Sequence, residues 1–132
     1  MHPLFTLLLI FTFLLKIADT CVATSPGGTA TTTAAPTGCQ SCLLSATEII
    51  NISEGTKDFT SDTIDTSGTC AVRTSVCDGF SADSGVLITF NRDEAGQNGG
   101  TGTVTSVLIC NTAGQWTKDG IVITAIECQS TP

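Results

Sequence analysis

Val104 to Cys128, VTSVLICNTAGQWTKDGIVITAIEC, predicts a β-strand ending in a cysteine, a Gly-centred turn, the chain's single Trp, an Asp-Gly turn, and a second strand ending in another cysteine. In the first strand Val104, Leu108 and Cys110 fall on one face and Val107 and Ile109 on the other. Its end is thus apolar on both sides, as for a strand inside a stack of sheets. In the second, Ile121, Ile123 and Ala125 alternate with Val122, Ile126 and Cys128, and Asp119-Gly120 before it supplies residues that tolerate positive φ in a tight turn. A Trp between two half-cystines is expected to plug the core and shield a disulfide. The alternative is an exposed Trp116 that contacts a ligand by stacking on a sugar ring.

Outward from this stretch, short strands are expected at Cys70 to Cys77 and Val86 to Asn91, with a helical turn and strand over Leu43 to Ile52. If Cys70 to Cys77 is extended, Cys70, Val72 and Val76 share one face and Cys77 takes the other. The polar run Glu54 to Gly68 reads as a solvated loop, because Asp58, Asp62 and Asp65 lack the alternate spacing of a calcium loop. Arg92 to Gly102, RDEAGQNGGTG, reads as a long Gly-rich hairpin connection with a mobile tip; no Lys-Ser/Thr follows to make it a phosphate cradle. The predicted fold is all-β, a small disulfide-stabilised antiparallel β-sandwich of four or five strands over residues 39–128, with a tail at 129–132.

Ahead of it, Leu4 to Leu15 (LFTLLLIFTFLL) has the length of a secretory h-region and is short for a bilayer span. Residues 1–23 read as a signal peptide, cut after Thr20 or Ala23; its weakly charged start leaves retention as an anchor as the alternative. Residues 24–38 are almost entirely Thr, Ala, Gly and Pro, without a core-forming side chain. They read as a disordered linker of the kind that carries O-glycans. The expected location is therefore extracellular, with no membrane insertion once the signal is removed.

In an oxidising compartment Cys39, Cys42, Cys70, Cys77, Cys110 and Cys128 form an even set that can make three bridges. An extended Cys70 to Cys77 holds its two sulfurs about 20 Å apart, so these do not pair. Cys39 and Cys42 are too close in the chain to be good partners, and the other connectivities stay open. Cys21 leaves with the signal if the cut follows Ala23. If the cut follows Thr20 it remains and could link two chains; otherwise a monomer is expected. Asn51-Ile52-Ser53 is an N-glycosylation acceptor that marks a solvent-facing edge.

Catalysis, metals and cofactors are not expected. The single His is His2 inside the predicted signal, and the chain has no Tyr, so the domain lacks an imidazole to activate a nucleophile or bind a metal. A lone CxxC of oxidised cysteines is no zinc site. Glu127 is the one acid in apolar company and reads as an outward residue rather than a catalytic acid. Beyond residue 23 the chain keeps four basic residues (Lys57, Arg73, Arg92, Lys118) against eleven acids, a balance that disfavours nucleic acid and anionic membranes.

The cysteine order, Phe90-Asn91, the run C-N-x-x-G-Q-W from Cys110 to Trp116 and the final Glu127-Cys128 resemble the six-cysteine extracellular domain known chiefly from nematode proteins. The resemblance covers Cys39 to Cys128. It implies a secreted domain with three disulfides and no established activity, and carries over no catalytic residue. C-x-x-x-G-x-W is also similar to the second half of a sushi module. The departures are the long interval from Cys110 to Cys128, the lack of a Pro before Cys128, and six cysteines instead of four. The expected function is a secreted, disulfide-rich binding or structural module for an extracellular protein or glycan, using the loops Arg92 to Gly102 and Asn111 to Gly120. A lectin-like defence protein using Trp116, and a protease inhibitor presenting Asn111 to Gly120, are the alternatives.

Overall fold

The computed structural model describes residues 37–132. The expected signal peptide, Cys21 and all of the expected linker but Thr37 and Gly38 lie outside the described residues. Two 3₁₀ turns, Gly38–Gln40 and Leu44–Ala46, precede ten strands. These are β1 (Glu48–Ile49), β2 (Thr56–Lys57), β3 (Ser61–Asp65), β4 (Val72–Asp78), β5 (Gly85–Phe90), β6 (Gln97–Thr101), β7 (Thr103–Cys110), β8 (Trp116–Lys118), β9 (Ile121–Val122) and β10 (Ala125–Ser130). They form two five-stranded sheets. In the first, β6 pairs with β5 and β5 with β10, whose other edge is shared by β1, parallel, and β2, antiparallel. The second runs β3-β4-β7-β8-β9, antiparallel throughout. One core joins Val86, Ile88, Phe90 and Ile126 of the first sheet to Val104, Leu108 and Trp116 of the second. The architecture is the expected all-β sandwich, cut into more and shorter strands.

Three bridges tie it together: Cys39–Cys70, Cys42–Cys110 and Cys77–Cys128. The last crosses the core from β4 to β10 and is fully buried at both ends. Trp116 sits directly across from Cys110 and is 1% exposed, so the indole covers the Cys42–Cys110 bridge. Its N–H needs an acceptor inside the core and donates to the Leu43 carbonyl at 2.8 Å. Asp119 and Gly120 both take positive φ (51° and 81°) at the β8–β9 turn, as their residue types predicted.

Several expectations need correction. Ile121 to Cys128 is not one strand. It leaves the second sheet after Val122 and enters the first at Ala125, and the Asn91 side chain holds the step by donating to Val122 O and accepting from the Thr124 and Ala125 amides. Val107 and Ile109 are 50% and 53% exposed, because the fold has two layers and that face of β7 points away from the opposing sheet. Gln97–Thr101, read as the second half of the long Gly-rich hairpin connection Arg92 to Gly102, is strand β6 along the β5 edge.

Asp62, read as a loop acid, lies on β3 and binds Arg73, which is 0% exposed on the core face of β4. Arg73 Nε and Nη2 donate to the two Asp62 oxygens at 2.8 and 2.6 Å, and the Ser75 hydroxyl adds a third bond at 2.8 Å. The core face of β4 is thus Arg73, Ser75 and Cys77, while Val72 and Val76 face outward.

Two outcomes test this packing. The Cys77–Cys128 bridge closes a 51-residue separation, so replacing both with Ser should cost about 4 kcal/mol and lower the urea midpoint read by Trp116 fluorescence. Asp62→Ala strands the Arg73 charge in the core and should cost about 3–5 kcal/mol, whereas Asp62→Leu with Arg73→Met should recover most of the loss in the same measurement.

Candidate functional site

The residues singled out for binding are not brought together. Trp116 offers no surface to a ligand, since burial and the bond to Leu43 place it wholly in the core. Asn111 to Gly120 is not one exposed loop. Asn111–Gln115 is a tight turn in which Asn111 Oδ1 accepts the Ala113 and Gln115 amides at 2.9 Å each, and the rest is β8 and its turn into β9. Arg92 to Gly102 divides between a turn at one end of the first sheet and strand β6. In that turn Asn91, Arg92 and Asp93 all take positive φ, and Arg92 lies 3.8 Å from Glu48, both exposed. Such a pair contributes little.

Among the described residues the exposed aromatic ring is Phe80, 60% exposed, in the connection between β4 and β5. Its neighbours Asp78, Gly79, Ser81 and Asp83 give the ring no apolar alternation to follow into the core. The connection is nonetheless held firmly. The Gly79 amide donates to Gly102 O at 2.6 Å, the Phe80 amide to Ser130 Oγ at 3.2 Å, and the Ser81 amide to Ser84 Oγ at 3.0 Å. A Cβ on Gly79 would lie 2.8 Å from both Ser81 O and Ser84 Cβ, so glycine is required for the close approach. Directly behind lies Cys77, fixed by its bridge to Cys128.

Charges surround the ring. The Lys57 ammonium stands 4.8 Å from its centroid, a cation–π arrangement, and 3.5 Å from Gly79 O. The Thr103 hydroxyl, donating at 2.7 Å, holds Asp78 below the ordinary carboxylate range; Thr60 acts in the same direction, outweighing the opposing effect of burial, and Lys57 adds the least. A cleft of about 290 Å³ beside Phe80 is lined by Glu54, Ser130 and Thr131, and a second of about 250 Å³ shares those three residues and is floored by Gly85, Leu87 and Gly100. Aromatic surface, hydroxyls, one ammonium and the carboxylates of Asp78 and Glu54 thus lie together at this end of the sandwich.

Glu127 was expected to point into solvent, and the structure corrects this. It is 2% exposed, beneath the arch of chain that leaves the β10 edge after Ile50 and returns at Thr56. Its Oε1 accepts the Ile52 and Ser53 amides at 3.0 and 2.8 Å and the Thr56 hydroxyl; Oε2 accepts the Ser53 hydroxyl at 2.9 Å and Gln129 Nε2 at 3.0 Å. The carboxylate stands in for the carbonyls that a continuous neighbouring strand would offer. Burial alone raises its pKa, but the bonds from Thr56, Ser53 and Ile52 outweigh this and hold it at about 2. The sequence signal was the isolated acid among apolar neighbours, and Phe80 had the opposite one, an isolated aromatic among polar neighbours. Asn51, the expected glycan acceptor, is exposed in the same arch.

A family model for the C6 domain matches residues 39–128, the interval that contains all six bridged cysteines. Three similar proteins are from Caenorhabditis elegans, each bearing the name uncharacterized protein. R07B1.7 is 56% identical over 76% of this chain and 70% of its own length. R07B1.6 is 38% identical over 98% of both chains, and R07B1.5 is 39% identical over 69% of this chain and 61% of its own length. No solved structure matches.

The Glu127 network should report itself through pH. A carboxyl held at about 2 when folded, against an ordinary 4.5, binds its proton more readily in the unfolded chain. Its contribution is complete above pH 4.5 and is lost as pH falls toward 2. Glu127→Gln should cost about 2–3 kcal/mol at neutral pH. The difference in urea stability between wild type and variant should shrink as the pH is lowered through that window.

Proposed function

Because the chain belongs to the C6 domain family, we propose that it works as a secreted, non-catalytic recognition module that presents the Phe80 end of its sandwich to an extracellular protein. The observation that carries this reading is a large apolar ring held in solvent by a connection that is hydrogen-bonded at Gly79, Phe80 and Ser81 and backed by a buried disulfide. An aromatic fixed in advance loses little entropy on binding, and such anchors dominate interface energetics. The clefts beside it, with Glu54 between them, receive the partner's side chains.

Three bridges and an apolar run at Leu4 to Leu15 support an extracellular setting for this module, with residues 24–38 as its spacer. In this reading the protein acts as a monomer when cleavage follows Ala23, and as a Cys21-linked pair when it follows Thr20. Burial of Trp116 removes the residue on which sugar stacking depended, which is why a protein partner is favoured over a glycan.

The test is a multivalent display of the domain against an array of extracellular proteins and glycans. A protein hit is expected to weaken at least about tenfold with Phe80→Ala, in line with the loss of an aromatic anchor, while the urea midpoint stays unchanged. A hit insensitive to Phe80→Ala, or confined to glycans, contradicts the proposal. The intact mass of the protein exported from a eukaryotic cell checks its setting. A start at Cys21 or Thr24 and a gain of six hydrogens on reduction of the three bridges are expected.

A further inference from the structure

The acceptor sequence Asn51-Ile52-Ser53 lies in the arch over Glu127, and its parts are not equally free. Asn51 is exposed. The Ser53 hydroxyl is engaged with Glu127 Oε2 at 2.9 Å, and the Ser53 and Ile52 amides with Oε1 at 2.8 and 3.0 Å. These are the hydroxyl and the backbone that define an Asn-x-Ser acceptor. In N-glycan transfer, Asn51 Nδ2 attacks the anomeric carbon of a lipid-linked oligosaccharide. The new C–N bond forms as the bond to the polyprenyl diphosphate breaks; the lipid diphosphate leaves and one amide proton passes to solvent.

We infer that Asn51 accepts a glycan only while β10 is undocked, because Glu127 and the glycan-transferring enzyme compete for the same Ser53 hydroxyl and the same amides. The inference rests on the reading that the chain enters the secretory pathway. The flanking strands strengthen it. Both β1 and β2 have β10 as their sheet partner, and the arch ends are fastened to it by Ile50 N to Ile126 O at 2.9 Å and Ser130 N to Gly55 O at 2.8 Å. Without β10 the acceptor segment has no sheet to join. Glu127 follows Ser53 by 74 residues, so the acceptor is made, and is open, long before its clamp. Closure is then locked by Cys128, next in sequence to Glu127, through its bridge to Cys77. A glycan added beforehand remains compatible with the closed fold, since Asn51 faces solvent.

The experiment supplies the full mature chain, made without glycans, to detergent-solubilised oligosaccharyltransferase with a lipid-linked oligosaccharide donor; a short Asn-Ile-Ser peptide confirms that the enzyme is active. The reduced and alkylated chain should be glycosylated at least about tenfold faster than the oxidised, folded protein, because transfer to the latter must wait for local opening. Oxidised Glu127→Gln, which loosens the arch while keeping the bridges, should fall between them, and Asn51→Gln should gain nothing. Equal rates for the reduced and folded forms overturn the inference. So does a Glu127→Gln rate equal to that of the folded wild type, or a reduced chain that stays unmodified while the peptide reacts. The assay uses purified protein and does not depend on export; failure of the secretory reading shows itself separately, as a cellular product that retains residues 1–23.

Discussion

The Cys77–Cys128 bridge is the constraint on which the other arrangements depend. It is the bridge that joins a central strand of one sheet to a central strand of the other, and it lies wholly inside the core. With β10 fixed in this way, one of its edges templates β5 and β6 while the other gathers β1 and β2. Phe80 Cα lies three residues beyond one half-cystine, and Glu127 directly before the other. The displayed ring and the buried carboxylate are therefore positioned from a single covalent link.

How much of this was legible depends on whether the signal was local. The Asp119-Gly120 turn, the burial of a Trp flanked by cysteines and the even cysteine set are local properties, and the residues state them directly. The break within Ile121 to Cys128 is not local. Its alternation reads as one strand, and the step between sheets is held by Asn91, 31 residues from the Val122 carbonyl that it binds. Strand β6 was hidden because Gly99 and Gly100 carry no strand propensity. A Cβ would lie 3.1 Å from Leu87 Cδ1 at the first and 3.0 Å from Val104 Cγ2 at the second, so a larger residue at either would have to displace those side chains. On β4 the apolar pattern selects Val72 and Val76 as the core face, yet the buried face holds Arg73, because Asp62 on the neighbouring strand neutralises it.

The candidate site was less legible than the fold, for a related reason. Chemical conspicuousness drew attention to Trp116, whereas exposure is decided by what else the fold can cover. Phe80 stays in solvent because its connection is fastened by its own backbone and serines, which leaves the side chain no route inward. Glu127 goes inward because an arch of unpaired amides needs an acceptor, and the need arises only once β1 and β2 share one edge of β10.

The bridge pattern also sets how the domain carries load. Cys39, the first half-cystine, joins Cys70, and Cys77 joins Cys128, the last. A pull applied across Cys39 and Cys128 is thus conducted through two disulfides and the seven peptide links from Cys70 to Cys77. The peptide part of that path, from Cys70 to Cys77, can lengthen only to about 25 Å before covalent bonds bear the tension. The rest of the sandwich, including the Phe80 connection and the Glu127 arch, hangs on side loops that the tension bypasses. A domain built this way behaves as a short link of nearly fixed length under tension, while the Phe80 end stays mechanically slack.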